Sequence, residues 1–156
     1  MITFSFEPRA DDVSWSQNWR PERTELIGGD FCLRLFTANL RLVVHGADLG
    51  LRTPGLPVVD FALMLDFATR ELETVSDFAV ETSVSQKVFA FSREGTEVTL
   101  TTNYAPSRAK LTWSELRELT GRAKAEAVRL IVTAHPELRD NTWLKQTMGK
   151  PPAGRL

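Results

Sequence analysis

Cys32, His45 and Asp48 supply the atoms of a thiol nucleophile, a base and an orienting carboxylate. The thiolate is the attacking species, so such a site needs the base beside the sulfur. No thiol-protease signature surrounds Cys32. Its apolar neighbours fit the other use of a lone cysteine, as a small buried hydrophobe. His45 and His135 are the two histidines, and with one cysteine they make too small a set for a zinc cluster. His135 falls at the end of a predicted helix, where an imidazolium interacts favourably with the dipole. Asp60 and Asp66 stand six residues apart and do not share one helix face, which leaves paired acid–base work unsupported. Asp60 falls instead in a first helical turn, beside the positive end of the dipole. No phosphate loop accompanies these residues, and neither catalytic group, metal nor cofactor is expected.

Charge points elsewhere. The net charge is −1, which exerts no global pull toward nucleic acid or membrane. Between residues 60 and 81, however, Asp60, Asp66, Glu71, Glu73, Asp77 and Glu81 face only Arg70. Farther on, Arg108, Lys110, Arg117, Arg122, Lys124 and Arg129 outnumber Glu115, Glu118 and Glu126. In that later stretch Glu118, Arg122 and Glu126 stand at i,i+4 and Arg129 follows Glu126 at i,i+3, as on a solvated helix surface. No nucleic-acid-binding motif is present, and nucleic acid is not expected as a partner. The residues expected to meet a partner are therefore Asp66, Glu71, Glu73, Asp77 and Glu81. Trp15 and Trp19 join them as aromatic anchors, because they fall where the core pattern is weakest.

The chain has 156 residues, 42% hydrophobic and 25% charged, which suits one soluble domain with its own core. At this length roughly 70% of the unfolded surface is buried on folding, so neither metal nor disulfide is needed. The single cysteine excludes an intramolecular disulfide and fits a reducing compartment. The start, MITFSFEPRADD, lacks the basic and apolar regions of a secretory signal. The longest apolar stretch, 56–68, is interrupted by Asp60 and Asp66 and is too short to span a bilayer. The expected setting is cytoplasmic, without membrane contact.

These side chains must be held by the elements that the sequence pattern predicts. Ile2, Phe4 and Phe6 alternate with Thr3 and Ser5, as in a half-buried strand. Residues 13–19 show a looser alternation that ends at Arg20-Pro21. Gly28-Gly29-Asp30 reads as a hairpin turn between arms at 24–27 and 31–36. Ala38-Asn39 reads as a further turn, followed by a strand over 40–45. Pro57 opens a helix over 57–73 with Val58, Ala62, Leu65 and Leu72 in one stripe, widened by Val59, Leu63 and Phe67. Three strands are predicted at 78–84, 87–92 and 96–103. Thr112-Trp113-Ser114-Glu115 is a capping box opening a helix over 113–135. Pro136 ends it or begins a short last turn, and Trp143 and Leu144 dock back on the body.

The expected fold is α+β: one antiparallel sheet of about six strands with two main helices on one face. Residues 1–148 form one domain and 149–156 a tail. The runs LPVVDFALMLDFATREL and LTWSELRELTGRAKAEAVRLI, with strands between them, resemble small actinobacterial α+β proteins of unknown function. Some proteins of this build are immunity proteins encoded beside polymorphic toxins. That resemblance implies a non-enzymatic protein that masks a toxin domain by direct contact, and it carries no site residues with it. The alternatives are a small-ligand protein or enzyme with a pocket between sheet and helices, and a homo-oligomer built through an open sheet face.

Overall fold

The computed structural model describes residues 1–21 and 25–149, the side chains of residues 53 and 54 excepted. The opening alternation becomes strand β1 (Ile2–Pro8), with Phe4 and Phe6 buried. It pairs antiparallel with β2 (Thr37–Val44), Ile2 opposite Val44 and Pro8 opposite Ala38. At the end of β2, His45 and Gly46 both have positive φ, 47° and 90°. Those angles make the tight turn whose twist matches a hairpin. The chain returns along β2 as β3 (Ala47–Asp48) and then, beyond Gly50, as β4 (Leu51–Pro57), with a register shift between Ala38 and Leu40.

Two of the expected turns are not turns. Ala38 and Asn39 lie inside β2. Gly28-Gly29-Asp30 starts helix α1 (Gly28–Leu33). The Asp30 carboxylate accepts the Ile27 N–H at 2.9 Å and pairs with Arg34 at 2.8 Å, so it satisfies a helix start rather than a hairpin. A packing contact explains Gly28: a Cβ there would lie 2.9 Å from the Trp143 ring. Phe31, fully buried, stacks on that ring with centroids 5.4 Å apart. The predicted first arm, 24–27, begins outside the described residues.

Residues 13–19 are not a strand either. Val13–Trp15 form a single 3-10 turn capped by Asp12. The Asp12 carboxylate accepts from the Ser14 N–H and hydroxyl at 2.9 and 2.6 Å, and from the Thr37 N–H and hydroxyl at 2.7 and 2.6 Å. The buried Ser14 hydroxyl in turn receives the N–H of Phe36 at 2.8 Å. Phe36 sits at φ 59°, a conformation that costs a non-glycine residue free energy. Its full burial among Trp15, Trp19 and Phe31 offsets that cost.

Helix α2 (Val58–Glu71) follows β4 without a loop, its first N–H donating to the Phe36 carbonyl at 3.0 Å. The second sheet is a meander of β5 (Asp77–Glu81), β6 (Val88–Glu94), β7 (Glu97–Thr102) and β8 (Ala109–Thr112). Phe78, Val80, Phe89, Phe91, Val98, Leu100, Ala109 and Leu111 fall on its inner face by register. The strands thus form two four-stranded sheets, not one of about six. The reason is α2. Phe61 stacks on Phe4 and meets Phe6 edge-on in the first sheet, and meets Phe89 of the second at 5.9 Å. A helix apolar nearly all round must be covered on more than one side. The α+β class stands, with α2 packed against the long helix that follows β8 and in contact with both sheets through Phe61.

Helix α3 (Trp113–Ala134) starts where predicted. Thr112 Oγ1 accepts the Glu115 N–H at 3.0 Å and Glu115 Oε1 accepts the Thr112 N–H at 2.9 Å. The last strand, β8, runs straight into that cap. The predicted short turn after Pro136 is a 3-10 turn over Pro136–Asp140, and α4 (Thr142–Met148) docks through buried Leu144. Residues 150–156 of the predicted tail lie outside the described residues.

Two measurements check these local assignments. Thr112→Ala removes one cap bond and lowers unfolding free energy by about 1 kcal/mol in denaturant titration; no change would place the helix start elsewhere. For Asp12, burial pushes the carboxyl up, but the hydrogen bonds from Ser14 and Thr37 outweigh it and hold the group below its ordinary 3.8. A carboxyl lowered by folding stabilises above its unfolded value, and that contribution is lost as pH falls through the folded one. Asp12→Ala therefore lowers stability at neutral pH, by about 2 kcal/mol for the buried bonds removed, and flattens the decline on acidification. An unchanged acid limb would refute this.

Candidate protein-binding surface

The expected acidic surface divides when the chain folds. Asp66 leaves it: this residue is 8% exposed, on the α3-facing side of α2. Its Oδ1 lies 3.3 Å from Lys124 Nζ and its Oδ2 accepts from Arg70 Nε at 3.0 Å. The carboxylate binds α3 to α2 and is not available to a partner. Asp60 is also buried, 7% exposed, and accepts from the Ser83 N–H and hydroxyl at 2.9 and 2.6 Å. Burial raises its carboxyl above the ordinary value, partly offset by the two Ser83 bonds. The two aspartates thus tie α2 to different neighbours and share no site.

Glu73, Asp77 and Glu81 stay exposed and Glu71 is half-buried. Glu71 is the last residue of α2, Glu73 lies in the connection, and Asp77 and Glu81 are the ends of β5. Among the described residues none of these four carboxylates is in an ion pair with lysine or arginine. The nearby Arg93 is committed elsewhere. Its Nη1 donates to the Leu72 carbonyl at 2.9 Å, at the negative end of α2, and its guanidinium lies 3.8 Å from the Trp113 ring.

The same junction exposes an aromatic ring. Phe67 was expected to widen the buried stripe of α2, yet it is 58% exposed and stacks on Phe78 of β5 at 6.1 Å. Its helix is covered by α3 and by both sheets, and Phe67 falls at the margin of that cover, touched by Phe78 on one side and open on the other. Among the described residues β5 is an edge strand, paired only with β6. The junction of α2 and β5 therefore presents an apolar contact and a sheet edge, with Glu71 and Glu73 at the end of α2 and Asp77 and Glu81 on the outer face of β5. Charge counting alone located the carboxylates. Phe67 was not recognisable from sequence, because a helix this apolar gives no sign of which side stays bare.

The other expected anchors face inward. Trp15 donates its Nε1–H to the Thr37 carbonyl at 2.7 Å and packs against Phe36. Trp19 packs between Phe36 and the buried His135. Their half-exposed edges are the outer wall of this cluster, and their packing accounts for both. His135 caps α3 as predicted, and its Nε2 lies 2.7 Å from the Ser14 carbonyl, tying the end of α3 to the 3-10 turn.

The nucleophile set is not assembled. Cys32 lies on α1, and burial, with the charge of Asp60 adding to it, pushes its thiol up to about 11, so the protonated form prevails at neutral pH. His45 Nε2 lies 2.9 Å from Glu115 Oε2, and Asp48 accepts the Gly50 N–H at 2.9 Å. On α3, Lys124 is buried with Asp66, Arg129 is engaged with Glu126, and Arg122 lies over the Phe4 ring, which breaks up the basic face. Among the described residues no three metal-ligating side chains cluster, and no helix is long and apolar enough to cross a membrane. The space between sheets and helices, where a ligand pocket was one expectation, is filled by Phe61, Leu65, Phe89 and Leu100. A shallow hollow of about 470 Å³ opens instead on the outer face of the second sheet, over Ala79, Ala90, Thr99 and Thr101.

The division of the acidic residues is directly measurable. Asp66→Ala removes the carboxylate that Lys124 and Arg70 reach, and costs about 3 kcal/mol, the lower end for breaking a buried pair. Glu73→Lys changes stability by less than about 0.5 kcal/mol, as at an exposed site. Equal effects in chemical denaturation would contradict this assignment. Beyond this geometry, no protein-family model, curated protein or solved structure matches the chain.

Proposed function

We propose that this chain is a non-enzymatic protein-binding domain, and that it meets its partner at the junction of α2 and β5. The observation that carries the reading is Phe67, a large aromatic left 58% exposed on a mostly buried helix and stacked on Phe78, with Glu71 and Glu73 at the helix end and Asp77 and Glu81 on the outer face of the same edge strand. Folding requires neither an exposed phenylalanine nor a run of acids without ion pairs among the described residues. Together they have the composition of a binding patch, an aromatic anchor within a polar rim. The partner of matching chemistry is a basic protein surface with an apolar recess. Toxin neutralisation by direct contact is the specific form: the acidic rim would cover the cationic groove of a nuclease-type toxin. The resemblance to immunity proteins of this build supports that form.

The rim and the anchor act on different rates. Charges at the rim steer encounter, and a central aromatic holds the complex. With a partner captured from the native host, lysine at Glu71, Glu73 and Asp77 slows association, and the loss shrinks at high salt because exposed charges are screened over about 8–10 Å at physiological ionic strength. Phe67→Ala leaves association nearly unchanged and speeds dissociation, while the free protein keeps its thermal midpoint. Unchanged rates in both folded variants would remove this junction from the interface.

A further inference from the structure

A second surface shares no residue with the acidic junction. A groove of about 550 Å³ runs between α3, the Pro136–Asp140 turn and α4. Val128 and Val132 of α3 line it together with Leu138, Leu144 and Met148. Arg129, Arg139 and Lys145 also line it, and Lys124 reaches it from its ion pair with Asp66. Among the described residues no aspartate or glutamate lines it. Glu126 engages Arg129, but among the described residues no carboxylate pairs with Arg139 or Lys145, both exposed.

We propose that this groove receives an amphipathic α-helix of a partner protein, with its apolar stripe on the valine–leucine floor and acidic side chains toward Arg139 and Lys145. The dimensions argue for a helix. The lining residues of α3 run from Lys124 to Val132, about 12 Å or two turns at 1.5 Å per residue. That length matches a stripe at i, i+3/i+4 and i+7, the spacing by which helices bind grooves. The charge argues for acids, since Arg139 and Lys145 on the rim pair with no carboxylate among the described residues. Residues 150–156, which follow the groove in sequence, carry Lys150 and Arg155 and no acidic side chain, so their composition does not complement the rim. The inference does not depend on the acidic junction, and either surface can fail without the other.

The test uses the whole chain and a fluorescein-labelled synthetic peptide of about two heptads, with leucines at the first and fourth heptad positions and glutamates beside them. Fluorescence anisotropy should show saturable binding. The double variant Arg139→Glu, Lys145→Glu should weaken it at least about tenfold with an unchanged circular dichroism melt. A peptide with lysines for the glutamates should bind at least about tenfold more weakly. Val132→Asp should abolish binding; if that variant does not fold, the exposed double variant decides alone. Absence of saturable binding, or equal binding by the double variant, would overturn the proposal. So would phosphatidylserine vesicles that bind the chain through Arg139 and Lys145 while the peptide does not, since that result marks a membrane contact.

Discussion

Everything in this fold is arranged around the need to cover helix α2. Val58, Val59, Phe61, Ala62, Leu65 and Ala68 are all fully buried, and Met64 nearly so. A side chain such as Phe61 contributes about 1.5–3 kcal/mol by leaving water, and no single sheet face can take that many directions at once. The chain answers with two sheets and a second helix. The first sheet presents Phe4 and Phe6, the second presents Phe89, and all three meet Phe61. Each sheet also passes its last strand directly into a helix, at Pro57-Val58 and at Thr112-Trp113, so strand and helix are set with little loop between them.

Covering a helix this completely encloses polar groups, and each is answered locally. Asp60 holds the loop at Ser83, and Asp66 meets Lys124 and Arg70. A buried ion pair of this kind adds little net stability over an apolar pair of similar volume. Its effect is on register, since only one rotation of α2 against α3 brings Asp66 to Lys124. A parallel set of bonds seals the other end of the molecule. Asp12 joins the 3-10 turn to the start of β2, Ser14 holds Phe36, and His135 returns the end of α3 to the same turn. These ties span more than a hundred residues of sequence in the case of His135 and Ser14.

The surfaces proposed for binding are those that this packing leaves uncovered. Cover of α2 by α3 and the sheets is incomplete at Phe67, which touches Phe78 on the edge strand β5 and is otherwise open. The groove along α3 arises in the same way, where α4 reaches the helix but leaves Val128 and Val132 half-exposed between basic side chains. One surface is acidic and the other basic, which sets opposite charge requirements on what each can meet.

The sequence by itself determined the α+β class, the first strand, both main helices and the meander, because each rests on local rules: period-two alternation, the proline entry at Pro57 and the Thr112–Glu115 cap. It also located the acidic stretch, since charge can be counted along the chain. Tertiary structure alone decided the rest. Gly28 is glycine because an indole ring presses on it, not because the chain turns there. Strand β8 is only four residues long and is held by pairing with β7. Asp66 and Glu73 carry the same charge a few residues apart, yet one is an internal tie and the other faces solvent. Burial depends on which elements arrive from elsewhere in the chain, and neither hydrophobic period nor charge count carries that information.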